Sequence, residues 1–299
     1  MSRRARREAL EGYLFLLPWA LGFTLLIAGP MLASLYLSFT SYDIARPPVF
    51  VGAENYVRAA TIDPQFWPSL AKTFYYALVV VPVGLTVSML LASLLNQRLA
   101  GTNLFRTLYF LPHLTPIVAT ALVWKVILHP EVGLINTLLY RGAGIKGPGW
   151  LSSVEWAIPA LIVMALWRGV GGNTMMIFLA GLQGIPVELY EAAAIDGASG
   201  WHRFRHVTVP MLSPTVFFNL VLGVIGALQV FASALVASKG GPAYATWFYA
   251  LHIYNEAFVN FKMGYAAALA WIFFVIVLAI TYLNVRLSGR WVYYAGESG

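Results

Sequence analysis

Residues 13–39 read YLFLLPWALGFTLLIAGPMLASLYLSF, a run of 27 without one charged side chain. An α-helix crosses the hydrocarbon core of a bilayer in about 20 residues, so this run is long enough to span. Five further runs of similar length follow at roughly 70–95, 104–128, 157–181, 212–236 and 264–286. Lipid offers no hydrogen bonds, so each spanning segment has to satisfy its own backbone, which an isolated strand cannot do. Barrel strands would appear as alternating segments of ~10 residues, and these are absent. The chain is 60% hydrophobic and 10% charged, against about 25% charged in ordinary soluble domains. One soluble core cannot hide that much apolar surface. The expectation is an all-α, polytopic membrane protein with about six transmembrane helices.

Orientation follows from Arg3, Arg4, Arg6 and Arg7, which precede the first run and place residues 1–12 in the cytoplasm. The first run is much longer than the 7–15-residue core of a signal peptide and lacks a small-residue cleavage site, so it reads as a retained span. Pro18 and Pro30 are expected to kink it. Cytoplasmic segments are then the N-terminus, the turn at Gln97 to Arg106 with Arg98, the stretch 182–211, and a tail over 287–299. The long segments 40–69, 129–156 and 237–263 fall outside, with turn chemistry at "RPP" 46–48, "GPG" 147–149 and "GGP" 240–242. No internal repeat is visible, which weighs against a self-contained secondary transporter.

The stretch "EAAAIDGASGWHRFRHVTVPMLSP", 191–214, is the compact polar segment on the cytoplasmic side. Pro186 suits the first turn of a short helix, "VELYEAAAI". Asp196-Gly197 ends it, since glycine takes the left-handed conformation freely. Ser199 is placed to cap a second short helix, "GWHRFRHV". Ala192, Ala193, Ala194, Gly197 and Ala198 form a surface of small residues on which Glu191 is a lone carboxylate suited to a basic partner. A plain interfacial linker has the same composition. A DNA-reading helix-turn-helix is disfavoured, because both ends are tied to the membrane and basic residues are few.

"EAA" at 191–193, Gly197 and "VTVP" at 207–210 resemble the EAA loop of bacterial ABC-importer permeases. "FLAGLQGIPVELY" before it and "MLSPT" after it extend the match. The form "EAAxxDGAxxWxxF" is similar to the carbohydrate-uptake branch, represented by maltose and glycerol-phosphate permeases. "SFTSYD", "FVGAENY", "FRTLYFLP", "GGP" and "IYNEAF" carry the likeness along nearly the whole chain. The sequence departs at Val209, where leucine is usual, and at Ala232, where many relatives have an acid. The resemblance implies a type I ABC-importer permease fold over 13–286, in a prokaryotic plasma (inner) membrane. It implies that the loop 188–214 docks on a cytoplasmic ATPase through Glu191, Ala192, Ala193, Asp196 and Gly197. The partners it implies are a second permease subunit, two ATP-binding cassette subunits and an extracytoplasmic binding protein, besides membrane lipid. Nucleic acid is not among them. ATP and Mg would sit on the partner ATPases, and this chain has no G-x-x-x-x-G-K-[ST] loop of its own.

Catalytic chemistry is not expected. The sequence has no cysteine, no H-E-x-x-H spacing and no nucleophile elbow. His202 and His206 share a helix face but lack further ligands, so no metal site is expected. "LWRGVGGNT", 166–174, is the most unusual stretch within a span. An arginine in mid-bilayer costs about 2.5–3.5 kcal/mol on insertion scales, and each interior glycine costs about 1 kcal/mol relative to alanine. Arg168 reads either as a structural charge or as a charge on the pathway, where it would favour a sugar phosphate; the expectation is the structural role, bonding a partner helix without touching cargo. Asn173, Asn219, Gln229 and Trp271 could line a substrate pathway, though helix–helix hydrogen bonds explain them equally well. Trp291, Tyr293 and Tyr294 read as an interfacial aromatic belt. The cargo expected from the resemblance is a neutral sugar or oligosaccharide, with glycerol phosphate or a polyol as the alternative.

Overall fold

The computed structural model describes residues 3–97 and 101–293. Arg98 and Tyr294 lie outside them. In chain order, α1 (Arg3–Phe23) runs through a π-turn (Thr24–Ala28) into α2 (Gly29–Ser38). Two-residue strands β1 (Thr40–Ser41) and β2 (Val49–Phe50) lead to α3 (Glu54–Thr61) and α4 (Phe66–Leu95). Then come α5 (Thr102–Leu114), α6 (Ile117–Ile127), α7 (Leu134–Ala143), α8 (Val154–Gly169) and α9 (Asn173–Gln183). The polar segment holds α10 (Val187–Ile195), α11 (Gly200–Arg203), a π-turn (Phe204–Thr208) and α12 (Val209–Met211). The chain ends with α13 (Ser213–Leu228), α14 (Ala232–Ala237), α15 (Tyr249–Tyr254), a π-turn (Asn255–Val259) and α16 (Met263–Ser288). Among the described residues four helical stretches are long and apolar enough to cross a membrane, and the number is six if each of two bent pairs is one span.

The bends correct the reading of continuous spans. α5 and α6 meet at 97°. Thr115 precedes Pro116, and the proline ring forces the residue before it out of the helical region, to φ −71° and ψ 131°. α8 and α9 meet at 45°, across Val170-Gly171-Gly172, where Gly172 leaves the helix at φ −83° and ψ −147°. Of the two prolines expected to kink the first span, Pro18 lies inside α1 and Pro30 follows a π-turn. Proline cannot donate to the carbonyl four residues back, and its ring collides with it. Widening the preceding turn, so that the Gly29 N–H reaches the Thr24 carbonyl, absorbs the defect. The same device precedes Pro210, where the Val209 N–H reaches Phe204.

The described residues fall into two compact units. The first comprises Met1–Pro64 and Ile253–Val275. Its hairpin pairs Thr40 with Phe50 and Ser41 with Val49. Asn55, buried, donates from Nδ2 to the carbonyls of Ser38 and Thr40, both at 2.9 Å. "FVGAENY" is therefore a strand, a turn at Gly52 (φ +61°) and a helix whose asparagine ties it back to α2 and β1. The Tyr265 hydroxyl donates to Asp63, and the Arg58 guanidinium lies 5.0 Å from the centre of the Tyr265 ring.

The second unit, Gln65–His252 with Ile276–Gly299, is organised on α4, which packs on α8, α9 and α13. Lipid tails are as apolar as leucine, so association of these helices depends on close van der Waals packing and interhelical hydrogen bonds. Small residues provide the closeness. A side chain on Gly84 would touch Leu166, and one on Gly181 would come within 2.7 Å of the Thr215 hydroxyl. Ala92, Met175, Phe178 and Leu212 are buried together at one end of this packing. The segment 129–156 is not loose loop. It contains α7, and its buried Asn136 donates to the carbonyls of Pro130 (2.9 Å) and Pro148 (3.0 Å) while accepting from the Trp150 indole (2.7 Å). Of the expected aromatic belt, Trp291 packs edge-on to Phe217, and the Tyr293 backbone N–H donates to Ser213.

Candidate functional site: the polar segment and the helical cavity

α10 (Val187–Ile195) covers the expected VELYEAAAI. Pro186 is the N-cap, with extended ψ 133°, and not part of the first turn. The helix ends in a Schellman motif: Gly197 N–H bonds the Ala194 carbonyl (3.0 Å) and Ala198 N–H bonds the Ala193 carbonyl (2.9 Å). Gly197 has φ +77°, and a side chain built there would meet nothing within 4 Å. Backbone conformation, not lack of room in this chain, therefore calls for the glycine. Ser199 caps the next helix, its Oγ accepting from the His202 N–H at 3.4 Å. The His202 and His206 rings stack on one face, 5.7 Å apart. Among the described residues no group of three or more His, Cys, Asp or Glu side chains is placed to hold a metal.

One side of this segment is anchored. Tyr190, Val207 and Met211 pack on the cluster that contains Phe178 and Leu212. The Tyr190 hydroxyl also meets the Thr208 hydroxyl at 3.0 Å, joining the two arms of the corner. The other side faces out. Glu191, Ala192, Asp196 and Gly197 are exposed, and Ala193 is half-buried. Glu191 is not a lone carboxylate, because Glu188, three residues earlier on the same helix, is exposed too. Two apolar residues stand out as well: Ile195, 87% exposed, and Trp201, 67% exposed and stacked on Phe204. Sequence reasoning passed over both. Their signal was position, a large apolar residue on each flank of a glycine corner that is otherwise polar.

In the second unit α4, α6, α8 and α13 surround a cavity of about 500 Å³. Ser88, Thr120, Thr174, Asn219 and Gln229 give it polar atoms, and Phe231 and Leu222 give it apolar wall. Asn219 is 4% exposed and donates Nδ2 to its own helix at Thr215 (3.1 Å). Of the four expected pathway residues, Asn219 and Gln229 line this cavity. Asn173 does not; it is exposed at the start of α9, and its neighbour Thr174 takes the place on the wall. Trp271 is not on the wall either. It lies in the first unit, edge-on to Phe274.

Arg168 lines the cavity as well. It occupies the last turn of α8, because the helix ends at Gly169, and not the middle of an unbroken span. Its Nε donates to the Thr115 carbonyl at 3.4 Å and one Nη to the His113 carbonyl at 3.5 Å. The contacts expected with a partner helix are thus made inside the chain, to carbonyls freed by the break between α5 and α6. The second break is tied in by Ser88, whose hydroxyl donates to the Val170 carbonyl at 2.8 Å. Gly171 is required there, since any side chain would run into the Tyr109 carbonyl.

The chain is 40% identical to "Probable ABC transporter permease protein YesP" of Bacillus subtilis (strain 168), covering 99% of this chain and 96% of that one. It is 35% identical to the lactose transport system permease protein LacF of Rhizobium radiobacter, over 95% of each. Its fold matches a chain of a bacterial ABC transporter involved in the import of the acidic polysaccharide alginate. That match has a TM-score of 0.85 and 23% identity, over 96% of this chain and 98% of the other. Residues 84–293 match the family of inner membrane components of binding-protein-dependent transport systems. With the family matched over 84–293 and relatives at 40% and 35% identity along nearly the whole chain, the chain belongs to that family, as a permease and not an enzyme.

Proposed function

We propose that this permease works in an importer with a second permease subunit, two ATP-binding cassette subunits and an extracytoplasmic binding protein, and that its cargo is a saccharide. The observation that carries the reading is the segment around Gly197. It is a hydrogen-bonded corner with an acidic and apolar outer face, anchored on the helices that continue into the cavity wall. α9 runs through Gly184 and Pro186 directly into α10, and α13 follows α12 after one residue. A force applied to the corner therefore reaches two helices packed on α4. Glu191, Ala192, Ala193, Asp196 and Gly197 form the contact with the ATPase, Glu191 meeting a basic group there. ATP and Mg are held by those subunits. Closure of the ATPase pair then moves the corner, and the breaks at Thr115 and Val170 to Gly172 let the outer parts of the spans reorient. Hydroxyls and amides from Ser88, Asn219 and Gln229, beside the ring of Phe231, suit the hydroxyls and apolar faces of a sugar. The arginines at 3, 4, 6 and 7 put the N-terminus and the corner in the cytoplasm.

The test is purification from native membranes through a tag on this chain, with analysis of what the copurified binding protein carries. A cassette ATPase, a second permease and a bound saccharide are expected. Recovery of the chain alone, active in uptake without an ATPase, would refute the reading.

A further inference from the structure

Of the side chains on the cavity wall, Arg168 alone carries a formal charge, and no carboxylate lines that wall. Among the described residues none lies within ion-pair distance of its guanidinium. Its two contacts are to backbone carbonyls, at 3.4 and 3.5 Å, the long end of hydrogen bonding. A guanidinium has five N–H donors, so donors remain beyond those two. The carbonyls of His113 and Thr115 fix the plane of the fork without neutralising it. The result is an oriented cation on the wall of a mostly apolar cavity, where lower polarity strengthens its attraction for an anion over that in bulk water.

We infer that the cargo is an acidic saccharide, a sugar bearing a carboxylate, and that Arg168 is the residue that selects it. This rests on the proposed reading of the cavity as a saccharide pathway. Three cargoes are decided between by charge. A neutral sugar leaves the cation uncompensated. A phosphate monoester brings about 1.5 to 2 negative charges and leaves an excess, because among the described residues this chain gives the cavity no second cation. A carboxylate matches the single charge and the planar fork, which takes its two oxygens in parallel. The remaining wall serves the rest of the ring: Asn219 and Gln229 for hydroxyls, Phe231 for an apolar face. The same arginine fulfils a structural role by meeting the last carbonyls of α5, so loss of transport in a variant would not by itself identify it as a selector.

The test separates the two roles. The complete importer with its binding protein is reconstituted in proteoliposomes. The probes are oligosaccharide pools from pectin, alginate and glucuronoxylan, each alongside the same pool with its carboxylates chemically reduced to alcohols. Glycerol phosphate is the third probe. Wild type is expected to take up at least one acidic pool about tenfold or more faster than its reduced twin, the range of a hydrogen bond to a charged group. Arg168→Gln is expected to erase that ratio, and Arg168→Lys to keep part of it. A purely structural arginine would lower both rates together and leave the ratio standing. An unchanged ratio in Arg168→Gln, or preferential uptake of glycerol phosphate, overturns the inference. Uptake of a reduced pool alone rejects it while leaving the saccharide reading intact. Uptake of no saccharide pool rejects both.

Discussion

Gly197 offers a graded perturbation of the proposed coupling corner. Its φ of +77° lies in the left-handed region, and nothing stands within 4 Å of the position a side chain would take. In this chain alone, then, a substitution is resisted by backbone conformation and not by collision. Asparagine visits that region readily and should be close to wild type. Alanine should cost about 1–2 kcal/mol, which disfavours the corner by roughly 5- to 30-fold. Proline cannot adopt the angle and deletes the N–H that bonds Ala194 at 3.0 Å, a loss of about 3 kcal/mol or more. The assay is transport per ATP hydrolysed, together with stimulation of the ATPase by the binding protein, in proteoliposomes holding equal amounts of assembled complex. Coupling should fall in the order glycine, asparagine, alanine, proline. Equal loss for asparagine and alanine would refute the argument, because it would mean that a partner's approach and not the dihedral angle demands glycine. A fully coupled proline variant would refute it outright.

Glu191→Ala should uncouple hydrolysis from transport while leaving the amount of inserted protein unchanged, as read by blotting and ATPase stimulation; normal coupling would remove Glu191 from the contact. With no cysteine in the wild type, an impermeant thiol reagent on intact cells should label Ala53→Cys and spare Ser199→Cys, and the opposite pattern would invert the topology. Asn136→Leu removes three hydrogen bonds. At about 1 kcal/mol each it should destabilise the complex by roughly 3 kcal/mol, visible as a lower melting temperature in detergent. An unchanged melting point would show that the outer segment is held by other contacts. Gly171→Ala should prevent stable assembly, since its methyl would run into the Tyr109 backbone; a normal elution profile on size exclusion would count against that packing.

The spans were legible because their cause is local: length and hydropathy suffice, and both are written in consecutive residues. The corner was legible for the same reason, since Asp196-Gly197 and Ser199 act on neighbouring backbone. Breaks were legible only in part. Thr115-Pro116 carries its own bend, because the residue before proline avoids the helix, yet the apolar run continues across it and hides the turn. The glycines from Gly169 to Gly172 weaken a helix interior but do not by themselves fix where it ends. Facing was not legible. Asn173 and Thr174 are adjacent in sequence, and only the angle at which α9 leaves Gly172 decides which of them reaches the cavity. Arg168 shows the same limit: its partners are carbonyls more than fifty residues away, exposed by a bend in another span. Asn136 was missed because a hub of hydrogen bonds between loop carbonyls leaves no pattern in the chain.

The most direct measurement is uptake by the purified complex in proteoliposomes, with ATP supplied on the side of the Gly197 corner and loaded binding protein on the other. Accumulation of the labelled saccharide should require both, and should stop when either is withheld or placed on the wrong side. Accumulation driven by an imposed proton or sodium gradient, with no ATP present, would contradict the account.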